Sequence, residues 1–414
     1  MKQTRSRSLF PSIAIPAFLA ATLLACDAPA PKSGPSESIA PARAPADSGL
    51  IQIQGSTVLR LSGSDRERGR QEGYLRAAAL QELFDGWALK LVPKFSWSSF
   101  VRPLLHRRFD FPEWAKQRAE GLIEGMRKAG ARYLKSERLG REFEAKDFLA
   151  ISALIDAPGM LCSSFAVWGD KVQGGGPIVA RNLDYKSNPS MLRNVIVIVE
   201  DAGPERCATV SIGWSSLGIT TGISAAGSFV SIHDVPQRIA KSDGHLPRIL
   251  ALQELLRSFR PEKESPADAR DKLEKYNYAY GGNAMLAWRH NERRGAVVLE
   301  FGPAKAASAK VTLRKPKDAP WIACTNHFRD RKGPRACNRY LSISKGVTSA
   351  LAEEQKLTPQ SVWNIVASAR VAATLHTVMF DFGSKELVVD FRIHPQRNKW
   401  RRLQVSLREL IGHQ

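Results

Sequence analysis

The chain has 414 residues, 43% of them hydrophobic and 24% charged, a composition that excludes a collagen-like rod, a coiled coil or a wholly disordered polypeptide. Its 61 basic and 40 acidic residues leave a formal charge of +21, which favours anionic surfaces or ligands and says nothing about fold. Five cysteines in this length exclude a disulfide-built scaffold.

The first element in chain order is an export signal. Lys2, Arg5 and Arg7 precede an apolar run, Leu9 to Ala25, broken by Pro11 and Pro16 and ending Leu23-Leu24-Ala25-Cys26. A run this short and interrupted is unsuited to spanning a bilayer, which takes about 20 apolar residues, and fits a cleaved signal. The Leu-x-Ala-Cys ending resembles the lipobox of bacterial lipoproteins. That resemblance implies residues 1–26 as signal peptide and lipobox, with Cys26 lipidated as the mature N-terminus. Asp27 behind it resembles an inner-membrane retention signal, so the expected location is the periplasmic face of the inner membrane, held by a lipid anchor. Residues 27–49 are rich in Pro, Ala and Ser without apolar period and read as a tether. The positive charge suits attachment to an anionic leaflet. No zinc spacing, Gly-rich phosphate loop or basic stripe interleaved with aromatics accompanies it, so nucleic acid is not an expected partner.

From Arg66 to about Asp156 apolar residues recur at threes and fours. Leu75, Ala78, Ala79, Leu83 and Trp87 form one series, Leu122 and Met126 lie in another after Pro112, and Phe143 to Ile155 forms a third that stops at Ala157-Pro158-Gly159. This spacing predicts a mainly helical segment over 50–161. Beyond Cys162 the texture changes to short β-rich runs at 163–168, 178–183, 194–199, 208–212, 229–232, 297–301, 378–380 and 387–391, with helices at 246–257 and 359–373. The expected class is α+β.

The stretch Cys162 to Tyr185 reads CSSFAVWGDKVQGGGPIVARNLDY, two strand-like runs about a Gly-rich turn. Folding it about residue 173 sets Cys162 opposite Asp184, with Arg181 at the same end. A thiol beside a fixed guanidinium is expected to have a lowered pKa. Spacing alone leaves open a buried structural cysteine beside an ordinary ion pair.

Cys-Ser-Ser-Phe followed by Arg181-Asn182-Leu183-Asp184-Tyr185 resembles the N-terminal nucleophile hydrolases of the choloylglycine hydrolase, penicillin V acylase and acid ceramidase kind. The helical segment ahead of the cysteine, with Gly69-x-x-x-Gly73, resembles the autoproteolytic isopenicillin-N acyltransferase branch. The resemblance implies a four-layer αββα sandwich of two antiparallel sheets, preceded by a helical segment. It implies a break between Leu161 and Cys162, a catalytic portion 162–414 headed by the nucleophile Cys162, and two chains that remain associated. It assigns Arg181 and Asp184 to polarising the thiol and orienting its amine, Asn326 in Thr325-Asn326-His327-Phe328 to the oxyanion hole, and Arg339 to the active site. His233 stands where such proteins have a second, Asn-borne oxyanion contact, and Leu161 where many have Gly; both are departures. An internal cysteine freed by cleavage carries its own base, the new α-amine, so no separate His is required. The expected activity is hydrolysis or transfer of an N-acyl group from a linear amide, without cofactor or metal. The positive excess points to a carboxylate-bearing substrate. The alternative is a non-catalytic lipoprotein using the same fold to bind a ligand. Cys324 and Cys337 are candidates for a disulfide, Cys207 for a buried small hydrophobe, and Glu300 for a paired buried carboxylate or a pocket residue.

Overall fold

In the computed structural model the described residues are 48–411, apart from 94–95, 156–158, 202–206, 238, 304–309, 318, 332–335 and 354–355. The signal peptide, Cys26, most of the tether and the Ala157-Pro158 helix stop lie outside them.

The segment ahead of Cys162 opens with a hairpin, β1 (Gly49–Ile53) and β2 (Ser56–Ser62), that the helical periodicity did not foretell. Then come α1 (Asp65–Leu75), α2 (Ala77–Gly86), α3 (Arg102–Arg108), α4 (Glu113–Ala129), α5 (Ala131–Leu134), the short pair β3 (Lys135–Ser136) and β4 (Arg141–Glu142), and α6 (Ala145–Ile155). Ser64 starts α1 through a reciprocal capping box with Glu67. Helices α1 and α4 cross backbone to backbone on four glycines. A Cβ on Gly69 would lie 2.1 Å from the Arg118 carbonyl oxygen, on Gly73 2.2 Å from that of Leu122, on Gly121 2.1 Å from that of Arg66 and on Gly125 2.1 Å from that of Arg70. The Gly69-x-x-x-Gly73 spacing therefore has a mate, Gly121-x-x-x-Gly125, on the partner helix.

The remainder begins with β5 (Leu161–Val167) and β6 (Ile178–Asp184), then α7 (Pro189–Asn194), β7 (Ile196–Asp201), β8 (Thr209–Gly213), β9 (Thr221–Ser224), β10 (Ser228–Val235), α8 (Arg248–Ser258) and α9 (Pro266–Glu274). It continues through β11 (Gly281–His290), β12 (Arg293–Phe301), β13 (Val311–Arg314), β14 (Trp321–Cys324), α10 (Asn338–Ala352), α11 (Pro359–Ser368), β15 (Thr374–Asp381), β16 (Glu386–Arg392), β17 (Trp400–Ser406) and α12 (Leu407–Ile411). Nine strands form one sheet in the order β1-β2-β7-β8-β9-β10-β11-β12-β13, and six form a second, β14-β5-β6-β15-β16-β17. Strand β5 meets β10, β11 and β12 of the larger sheet, while α8 and α9 cover that sheet and α10 and α11 cover the smaller one. Helix, sheet, sheet and helix are thus stacked in four layers, as expected. The pairing departs from the expectation in one place: β2 lies parallel to β7, Val58 opposite Val197, so the larger sheet is not wholly antiparallel and includes strands from both sides of Cys162.

A buried ion cluster ties the same two parts together. Arg118 of α4 bonds Glu200 of β7 and, at 2.6 Å, Asp65 of α1; Arg257 of α8 reaches Glu200 at 2.7 Å; Arg68 reaches Asp65 at 2.7 Å. Burial works against the Glu200 carboxylate, but Arg118, Arg257 and Arg68 outweigh it and hold its pKa far below the ordinary range.

Candidate active site

Strands β5 and β6 pair with Leu161 opposite Asp184, Cys162 opposite Leu183 and Ser164 opposite Arg181. The expected pairing of Cys162 with Asp184 is off by one. The connecting loop, 168–177, holds an even number of residues, so the fold axis falls between residues 172 and 173 rather than on 173. A one-residue slip exchanges faces. Cys162 shares its face with Arg181 and Leu183, between the two sheets, while Asp184 lies on the other face with Leu161 and Asn182.

Strand β14 flanks β5 on the other side, with Cys324 opposite Ser164. Continuing that register by two residues carries Asn326 alongside Cys162. Asn326 Oδ1 accepts the Cys162 backbone N–H at 2.8 Å, and its Nδ2 donates to the carbonyls of Met160 at 3.0 Å and Asp234 at 2.7 Å. Arg339, in the first turn of α10, bridges Asn326 Oδ1 at 2.8 Å and Asp184 at 2.7 Å. The other Asp184 oxygen accepts from Thr374 Oγ1 at 2.6 Å. Asp184 therefore reaches the Cys162 nitrogen through Arg339 and Asn326. Burial raises the Asp184 pKa, with Thr374 and Arg339 opposing.

Arg181 Nη2 stands 3.2 Å from Cys162 Sγ and 2.9 Å from the Ile232 carbonyl oxygen, and Nη1 bonds Thr221 Oγ1, so the guanidinium is pinned across the gap between the sheets. The expected lowering of the thiol pKa does not hold in the uncleaved chain. Cys162 is 0% exposed, and burial, helped by Asp184 and Asp234, raises its pKa despite Arg181. Leu161, the residue before it, is 48% exposed.

The residues just upstream are gripped by a group the sequence reading passed over. Asp234 Oδ2 accepts the N–H groups of Gly159 at 2.9 Å and Met160 at 2.8 Å, while Arg248, itself buried, holds Oδ1 at 2.9 Å. Its signal was the one acidic residue in a strand buried along its whole length, Ser-Phe-Val-Ser-Ile-His-Asp-Val. Burial raises the Asp234 pKa; Arg248 and the two N–H groups oppose it.

His233 lies on the neighbouring strand position, opposite Asn283, fully buried and without a completed hydrogen bond from either ring nitrogen. It donates nothing to Cys162 or Asn326. Burial, then Arg181, hold its pKa well below the ordinary value, so the ring is neutral. Asn283 donates to the carbonyls of Thr325 at 2.9 Å and His327 at 3.0 Å. Glu300 is a paired buried carboxylate: it accepts from Arg314 Nε at 3.1 Å and from the backbone N–H groups of Arg329 at 2.7 Å and Arg331 at 2.9 Å. Together they fix the turn that presents Asn326.

Cys324 and Cys337 are not joined; both thiols are free. Burial opposes the Cys337 thiolate, but hydrogen bonds from His327, the Tyr340 backbone N–H and Thr325 prevail and bring its pKa down to about 6. Among the described residues no group of His, Cys, Asp and Glu has metal-binding geometry.

No family model matches the chain and no curated protein matches it. Solved structures with a similar course of chain include a Caenorhabditis elegans ortholog of N-acylethanolamine-hydrolyzing acid amidase (13% identity, 54% of this chain and 93% of that one, TM-score 0.41). A variant of conjugated bile acid hydrolase from Clostridium perfringens is similar at 11% identity over 61% of this chain and 95% of that one, TM-score 0.42. Penicillin V acylase from Agrobacterium tumefaciens is similar at 14% identity over 60% and 87%, TM-score 0.39.

Proposed function

We propose that the chain is a cysteine N-terminal nucleophile hydrolase or acyltransferase that cuts itself before Cys162 and then hydrolyses, or transfers, the N-acyl group of a linear amide. The observation that carries this reading is the grip on one peptide bond. Asn326 holds the Cys162 nitrogen, Arg339 and Asp184 back it, and Arg181 lies on the sulfur.

In the first reaction Cys162 Sγ attacks the Leu161 carbonyl carbon. The C–N bond breaks, the nitrogen gains the thiol proton, and water opens the thioester to a Leu161 carboxylate. The freed α-amine, with an ordinary pKa near about 8, then accepts the thiol proton in each later turnover. Asn326 Oδ1 orients that amine. Its Nδ2, once Met160 withdraws, donates to a substrate oxyanion, a contact of a kind worth about 10²–10³ in rate. Arg181 stabilises the thiolate. We assign Cys26 as the lipid anchor holding the enzyme at the periplasmic face of the inner membrane. No helix among the described residues is long and apolar enough to cross a bilayer.

The full burial of Cys162 favours a second reading, a binding lipoprotein with an inert thiol. The two separate in one assay. Wild type is expected to release amine from a panel of N-acyl amino acids, penicillin V and conjugated bile salts, and Cys162→Ala to release none. Equal rates from both proteins would remove Cys162 from the chemistry.

A further inference from the structure

We propose that the slot filled by residues 159–161 in the uncleaved chain is the acyl subsite of the mature enzyme, and that it selects peptidyl amides. This rests on cleavage before Cys162.

The slot is a built site. Asp234 is nine-tenths or more buried and fixed by Arg248, and its Oδ2 accepts two successive peptide N–H groups, those of Gly159 and Met160. Asn326 Nδ2 donates to the Met160 carbonyl between them and the scissile bond. Gly159 and Leu161 are exposed, so the peptide enters the slot from the surface.

Cleavage alters the balance that keeps it there. The Leu161 carbonyl loses its covalent tie to Cys162 and becomes a free carboxylate at the end of a segment whose Leu161 is 48% exposed. The cut end leaves, a buried carboxylate oxygen is vacated as the acceptor of the acyl subsite, and Asn326 Nδ2 is freed for the oxyanion beside a newly reachable thiol.

A substrate acyl group bound to Cys162 Sγ occupies the position of Leu161, and its next atoms run into this slot. A buried acceptor built for N–H groups discriminates against chains that lack them, because it would be desolvated and left unpaired. An alkyl or arylacetyl chain offers Asp234 nothing; a peptidyl chain does, through the N–H groups of its second and third residues, which take the places of Met160 and Gly159. In turnover the C–S bond forms as the amide C–N bond breaks, the α-amine passes the thiol proton to the leaving amine, and water cleaves the thioester to the free acid.

The test uses the self-cleaved full chain and three fluorogenic amides of 7-amino-4-methylcoumarin, carrying glycyl-methionyl-leucyl, its methionine N-methyl analogue, or decanoyl. The expected kcat/KM for the tripeptide exceeds that for decanoyl by about 100-fold or more. N-methylation, which removes one donor, is expected to cost at least about tenfold. Decanoyl hydrolysed as fast as the tripeptide, an N-methyl analogue with no loss, or a cleaved chain inactive on all three would overturn the subsite. A chain that neither cleaves itself nor hydrolyses any amide would instead overturn the enzymatic reading.

Discussion

At the scale of single residues the molecule holds two thiols in opposite electrostatic situations. Cys162 is buried with its pKa raised, and Cys337, half-buried at the start of α10, is lowered to about 6. At pH 7 a thiol of that pKa is about nine-tenths thiolate. In native Cys162→Ala protein, iodoacetamide is therefore expected to label Cys337, with a rate that climbs through about pH 6. Cys324, whose pKa burial drives far up, should label only after unfolding. Peptide mass spectrometry checks both; preferential labelling of Cys324 would contradict the assignment. Cys162, Arg181 and Asp184 were legible from the hairpin spacing, and Asn326 and Arg339 only through the resemblance of their local motifs to the family's. Asp234, Arg248 and Thr374 were not. Each joins the site by a side-chain bond across elements far apart in the chain, and a local pattern such as the lone charge in β10 shows at most that a partner is needed, not which one.

At the scale of elements the legible parts are those with a strong period. The helices ahead of Cys162 and the apolar strands β5 to β8 and β10 fall where periodicity puts them. The hairpin β1–β2, the strand β11 and the helix α10 were missed, since they carry mixed polar residues whose pairing only the assembled layers decide. The hairpin register shows the limit of arithmetic. An even loop moved the axis by half a residue and placed Asp184 on the opposite face from Cys162. The four-glycine crossing of α1 and α4 gives a sharp energetic test. Gly69→Ala drives a methyl to within 2.1 Å of a backbone oxygen that cannot swing away. We expect a loss of at least about 2 kcal/mol, read as a lowered midpoint in urea. Gly213→Ala, where a Cβ meets nothing within 4 Å, is expected to change stability by less than about 0.5 kcal/mol. Equal midpoints for the two variants would contradict the close crossing.

At the scale of the whole molecule the parts on either side of the proposed cut share one sheet and one buried ion cluster. Such a construction should keep them together as a complex after cleavage. Glu200→Gln leaves Arg118, Arg257 and Arg68 facing Asp65 alone, and breaking a buried pair in this way typically costs about 3–5 kcal/mol. The folded pKa of Glu200 lies below its unfolded value, so the stabilisation is fully present above the unfolded carboxylate range, near about 4.3, and declines as pH falls toward the folded value. The wild-type advantage over Glu200→Gln in chemical unfolding is thus expected at pH 7 and should shrink below about pH 4. An advantage that grew with acid would contradict it.

The central claim is that one gripped peptide bond, Leu161–Cys162, is the one this protein breaks. It is tested most directly by the intact mass and N-terminal sequence of the purified wild type beside Cys162→Ala. The account predicts two co-purifying polypeptides from the wild type, one beginning at Cys162 and running to Gln414, and a single unbroken chain from the variant. An active wild type recovered as one intact chain, or a Cys162→Ala protein cut at the same bond, would contradict it.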